Sequence, residues 1–263
     1  MTATSRMPRL MRLAGRRALI VLPLGIAASA PLTSCAPSDT EIVAPPFALT
    51  SADVVYPSGQ AYPVNLIFAA AADDPIWTDL TGVALPGDAS VGPGGFQVIR
   101  GEGSDGYDLG NISFDLLPPP EGISFTSVGL VFTETPEPVR VDVGSWTLAS
   151  AEPEEFATDQ VSAAIAAMSA CTTADFPLPS STKTVQAFHS GNSHVEVDGI
   201  SMDAATDSVR VSLTCDDDAD FHIFSPTLDY IDRDGAAQST RLTPLAIGLQ
   251  DIDDADFARI RDR

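Results

Sequence analysis

The chain has 263 residues, of which 36 are acidic and 14 basic, for a net charge of −22. With 44% hydrophobic and 19% charged residues, its composition is that of a globular protein and excludes disorder over the whole length. So acidic a chain repels phosphate, which excludes nucleic acid as a partner.

The first 17 residues hold five arginines (Arg6, Arg9, Arg12, Arg16, Arg17) and no acid. An apolar run follows from Ala18 to Leu24 and fades into small residues through Leu32. This is the charged n-region and short h-region of a secretory signal. Pro23, Gly25 and Pro31 interrupt it, so it falls short of the ~20 apolar residues that span a bilayer. The stretch ends in Leu32-Thr33-Ser34-Cys35: a bulky aliphatic residue, two small ones, then cysteine. This pattern resembles the lipobox of bacterial lipoproteins. The resemblance covers about 35 residues and implies nothing about the rest. It implies that residues 1–34 are a signal peptide, that Cys35 receives a diacylglyceryl group and becomes the mature N-terminus, and that the chain sits on the outer face of the cell membrane. Arg16-Arg17 leaves open twin-arginine export beside the general secretory route.

Without the signal, nine bases face 36 acids, a net charge of −27, and Lys183 is the one lysine. Anionic lipid repels such a body, which therefore stands off the bilayer. Residues 35–50 suit a tether, being small, polar and proline-containing. The same acidic, lysine-poor composition also suits a saline habitat, where charge maintains hydration.

The body reads mainly as strands. In residues 51–150, Ile112, Phe114 and Leu116 alternate with polar residues, as do Val128, Leu130 and Phe132, then Val139, Val141 and Val143. In residues 173–263, Val195 and Val197 alternate, as do Val209, Val211, Leu213 and Cys215. Period two buries one face of a strand and wets the other, which favours antiparallel sheets packed face to face. Gly101-x-Gly103-x-x-Gly106 spells a dinucleotide fingerprint, but a strand follows it where a helix is needed, so it reads as a hairpin loop. Residues 151–172 break the pattern. From Pro153 to Ala170 the chain is alanine-rich, and Val161, Ala164, Ile165 and Met168 fall at helical spacing behind Pro153, Glu154 and Glu155. The expected fold is two antiparallel β-sandwich-like modules joined by one amphipathic helix. A short helix over Asp253–Arg261 closes the chain, acids first and arginines last. Segments 121–148 and 198–228 share order and spacing, which suggests either a duplicated module or the general likeness of alternating strands.

With Cys35 lipidated, Cys171 and Cys215 remain, an even number in an oxidising compartment, and a disulfide between them is expected. Asp229-x-x-Asp232-x-Asp234-Gly235 resembles the front of a calcium loop, but Tyr230 and Arg241 stand at its first and last ligand positions, which excludes an EF-hand. A looser calcium site is open to Asp229, Asp232 and Asp234, or to Asp216, Asp217, Asp218 and Asp220; the alternative is a solvated acidic surface. His189, His194 and His222 are weighed as zinc or copper ligands and read better as surface histidines flanking a hairpin. Trp77 and Trp146 read as core residues. Gly-x-Ser-x-Gly and His-Glu-x-x-His are not found. The sequence therefore points to a non-catalytic binding or envelope-structural lipoprotein, held to the membrane by its N-terminal lipid and meeting an envelope protein or glycan. No cofactor beyond calcium is expected. A divergent cell-wall hydrolase and a metal- or solute-capturing lipoprotein are the alternatives.

Overall fold

A strand with alternating side chains buries only the face that its pattern makes apolar, so these alternations dictate how the sheets stack. The computed structural model describes residues 43–87, 89–133, 135, 137–157, 165–203, 205–249 and 252–263. Seventeen strands lie among them: β1 (Thr50–Pro57), β2 (Tyr62–Ala71), β3 (Leu80–Ala84), β4 (Ser90–Val91), β5 (Phe96–Ser104), β6 (Tyr107–Leu116), β7 (Ile123–Phe132), β8 (Val139–Ala151), β9 (Ala166–Met168), β10 (Thr173–Pro177), β11 (Thr182–His189), β12 (Val195–Asp203), β13 (Ser208–Cys215), β14 (Phe221–Phe224), β15 (Thr227–Asp232), β16 (Ala237–Arg241) and β17 (Leu245–Ile247). One α-helix, α1 (Asp254–Arg261), follows. The protein is mainly β, in a sandwich-like arrangement of several sheets. No helix among the described residues is long and apolar enough to cross a membrane.

The strands form an eight-stranded sheet in the order β4-β3-β7-β8-β1-β14-β17-β9 and three three-stranded sheets, β2-β6-β5, β10-β13-β12 and β11-β15-β16. The alternating residues of the first half meet in one core: Ile112 and Phe114 of β6 with Val128, Leu130 and Phe132 of β7 and Val141 and Val143 of β8. Trp146 lies in this core, 1% exposed, and its Nε1 donates to the Val143 carbonyl at 3.0 Å. A register shift between β7 and β8, where Val143–Ser145 lie opposite Thr126, resets the phase, so Phe125 and Val128 both bury although three residues apart. A second core joins Val209, Val211 and Leu213 of β13 to Phe176, Phe188, Leu228 and Tyr230, with Phe224 and Leu245 from the large sheet. A third, smaller cluster seats Phe257 and Ile260 of α1 against Ile67, Ala69 and Phe221.

The helix α1 forms where the sequence places it, capped by Asp253, whose carboxylate accepts from the amides of Ala255 and Asp256. The glycine fingerprint is a hairpin. Ser104 pairs with Tyr107, and Asp105 and Gly106 both have positive φ, as a two-residue type I′ turn requires.

Four expectations are corrected. The large sheet is mixed rather than antiparallel: β1 runs parallel to both β8 and β14, and β17 parallel to β9. That sheet takes strands from both halves of the chain, so residues 51–150 and 173–263 are not separate modules, and Glu41–Arg263 is one unit. The helix expected over Pro153–Ala170 does not form in its described part. Pro153–Glu155 is a single 3-10 turn and Ala166–Met168 is β9, while Val161 and Ala164 lie outside the described residues. The tether does not reach residue 50: Phe47 is buried and bridges Phe68, and the Ala48 amide donates to the Ile67 carbonyl at 2.9 Å.

The two similar segments also occupy different places. Ile123–Phe125 and Val128–Phe132 share β7, whereas Ile200–Met202 and Val209–Leu213 lie in two strands, β12 and β13. Shared alternation, not a duplicated topology, accounts for the likeness. The signal segment and Cys35 lie outside the described residues.

Candidate functional site

The ladder between β12 and β13 ends with Val195 opposite Cys215. One residue further on each strand are His194 and Asp216, and the Asp216 amide continues the ladder by donating to the His194 carbonyl at 3.1 Å. Residues directly opposite in an antiparallel pair project to the same face. His194 Nδ1 accordingly meets Asp216 Oδ2 at 2.6 Å. The chain then turns, the Asp218 amide donating to Asp216 Oδ1 at 3.2 Å. Among the described residues, His194, Asp216 and Asp218 are the group whose ligand atoms lie within 4.8 Å of one another.

Three ties hold this corner. The disulfide Cys171–Cys215, with Cα atoms 5.8 Å apart, fixes the residue before Asp216. Asn192, buried, orients His194: its Oδ1 accepts from the His194 amide at 2.9 Å and from Ser51 Oγ at 3.1 Å, while its Nδ2 donates to the Ser51 carbonyl at 3.1 Å. Asp220 closes the loop from the other side. Its fully buried carboxylate accepts from the Leu49 amide at 2.7 Å, from Arg259 at 2.7 Å and from Arg263 at 2.9 Å.

His222 stands behind the loop, opposite Ser51 in the register of β14 and β1, and is 4% exposed. Its ring lies against the Asp216 backbone, yet Nδ1 has no hydrogen-bond partner. Burial holds the His222 pKa below its ordinary value, against the opposing pull of Asp216. At Asp216, desolvation pushes the pKa up, but the hydrogen bond from His194, the Asp218 amide and the nearby histidine charge together bring it below the ordinary carboxylate value.

The structure separates the other sequence candidates. Asp229 pairs with His189 Nε2 at 3.1 Å, and a hydrogen bond from Ser239 keeps its pKa low. Asp232 closes the β15–β16 hairpin: Oδ1 accepts from the amides of Asp234 and Ala236 at 3.0 and 2.8 Å, and Oδ2 from Gln238 at 3.0 Å. Strand alternation puts Asp229 and Asp232 on opposite faces of β15. Asp229, Asp232 and Asp234 therefore do not converge, and Asp232 is already satisfied as a turn residue. His189 and His194 likewise part, each to its own carboxylate. What sequence reading missed is the pairing of His194 with Asp216. Its signal lies in the alternations of β12 and β13, which put Val195 and Cys215 at matching ends of a hairpin.

No protein-family model matches the chain, and no curated protein matches it in sequence.

Proposed function

We propose that the chain is a lipid-anchored extracytoplasmic lipoprotein whose β-rich body binds an envelope partner, protein or glycan, rather than catalysing a reaction. The observation that carries this reading is the division of labour among three cysteines. Cys171 and Cys215 form a disulfide, as suits an oxidising compartment, which leaves Cys35 at the end of a lipobox-like Leu-Thr-Ser-Cys. Binding is supported by two long edge strands. β5 and β12 each lie at the margin of a three-stranded sheet and carry exposed apolar side chains, Ile99 on the first and Ile200 and Met202 on the second. Unpaired strand edges with apolar side chains are natural docking rails.

The test is metabolic labelling of the full chain in a bacterial host with an alkyne-bearing fatty acid. The chain is expected to take up the label and fractionate with membranes, and Cys35→Ala is expected to abolish both. Equal labelling of the variant, or an unlabelled wild-type chain, would overturn the lipoprotein reading. Photo-crosslinkers at Ile200 and Ile99 on intact cells then test the binding reading, which predicts a discrete adduct at one of these strands and none at the disulfide-side residue Asp175.

A further inference from the structure

We propose that His194, Asp216 and Asp218 form a binding site for a divalent first-row transition ion of the zinc class. The inference is independent of the lipid anchor and of the envelope partner.

The donor set selects the ion. Calcium and magnesium take oxygen ligands, and calcium needs six to eight of them. Here an imidazole nitrogen joins two carboxylates, a combination suited to zinc and its neighbours. Three protein ligands at an exposed corner leave the fourth tetrahedral position to water.

The geometry needs only side-chain movement. Bonds of 2.0–2.2 Å in a tetrahedron hold neighbouring donors about 3.3 Å apart. The 2.6 Å contact between His194 Nδ1 and Asp216 Oδ2 therefore opens by about 0.7 Å, while Asp218 closes in from within 4.8 Å. Binding takes His194 as the neutral tautomer with its proton on Nε2, so that the Nδ1 lone pair goes to the ion in place of the hydrogen bond to Asp216. The backbone carrying these ligands is fixed by the Cys171–Cys215 disulfide, by Asn192 and by the buried ion pairs of Asp220. Little ordering is left for the ion to impose.

His222 stands buried behind the cluster, 4% exposed, and is not one of its ligands. Asp218 supports the assignment, because its carboxylate makes no hydrogen bond or ion pair among the described residues. It contributes nothing to the loop that an amide could not.

The test uses the full chain carrying Cys35→Ser, so that no free thiol competes for the metal. The chain, stripped with chelator and with its disulfide intact, is titrated calorimetrically with zinc alone and with calcium alone. One equivalent of zinc is expected to bind, and calcium is not. Cobalt in place of zinc should give the intense visible absorption of a four-coordinate ion. His194→Ala should weaken zinc binding at least 100-fold and Asp218→Asn at least tenfold, each with the wild-type thermal midpoint in chelator within a few degrees. Asp234→Asn removes the same charge from a different acidic turn and should leave the affinity unchanged. Failure to bind zinc at one equivalent, calcium binding of equal strength, or equal affinity in Asp218→Asn and Asp234→Asn would overturn the site. Should His194→Ala not fold, Asp218→Asn against Asp234→Asn decides the question.

Discussion

At the residue scale, Asp220 ties the N-terminal strand to the C-terminus. Its carboxylate, with no exposed surface, accepts the Leu49 amide and faces two guanidiniums that are themselves partly exposed, 51% for Arg259 and 31% for Arg263. Removing a buried carboxylate strands its partners, whereas removing one exposed arginine leaves the other in place. Asp220→Ala is expected to lower the unfolding free energy by about 3 kcal/mol and Arg259→Gln by about 1 kcal/mol, read from chemical denaturation. An equal effect of the two would show that the carboxylate is not the centre of the cluster. Residue roles were only partly legible in the sequence. Asp216, Asp218, Asp220, Asp232 and Asp234 look alike on paper, all acids in glycine- or aspartate-rich turns. What separates them is where their partners lie: Asp220 is satisfied by the C-terminal helix, Asp216 by a histidine 22 residues away, and Asp232 locally by its own hairpin.

At the scale of elements, period-two alternation was a sound guide wherever one face of a strand is buried and the other wet. It placed β6, β7, β8 and β13 and their inward residues correctly. It failed for β1, whose Thr50, Ser51 and Ala52 are buried in succession: strands flank it on both sides within the large sheet, Ala52 joins the first core, and Ser51 meets the buried Asn192. It failed again at Ala166–Met168. Alanine favours helix, but β17 offers an open edge there, and the Ala166 amide takes the Pro244 carbonyl at 3.1 Å. Tertiary pairing overrides a weak local preference. The contact of β1 with β8 makes a sharper demand at Gly144, which has φ of +85° and whose absent Cβ would collide with the Thr50 backbone. Gly144→Ala should therefore cost about 2–4 kcal/mol, combining backbone strain with a forced separation of the two strands. Gly59→Ala, with φ of +78° but open space around it, supplies the comparison and should cost less. Thermal unfolding of the two variants would measure the difference, and parity between them would remove the close approach as the cause.

At the scale of the whole molecule, charge dominates. A chain of net charge −22 repels itself, and compaction brings its acids closer together. The screening length shrinks from about 30 Å at 0.01 M salt to about 3 Å at 1 M. The thermal midpoint of the full chain should therefore climb steadily with sodium chloride over this range, and a flat or falling midpoint would show that attractive ion pairs outweigh the net repulsion. The position of β1 has one more consequence, and it is mechanical. The chain enters the body at Phe47–Leu49 and passes directly into a strand that is hydrogen-bonded along its length to parallel neighbours. A pull on the segment ahead of residue 47 is directed along β1. Its ladder bonds to β8 and β14 lie across that direction, so they are loaded together in shear instead of being peeled one at a time. The Leu49–Asp220 bond takes the first strain and passes it through Arg259 and Arg263 to α1. Such a load is shared by the two strand pairings of longest sequence range among the described residues, β1 with β14 and β1 with β8.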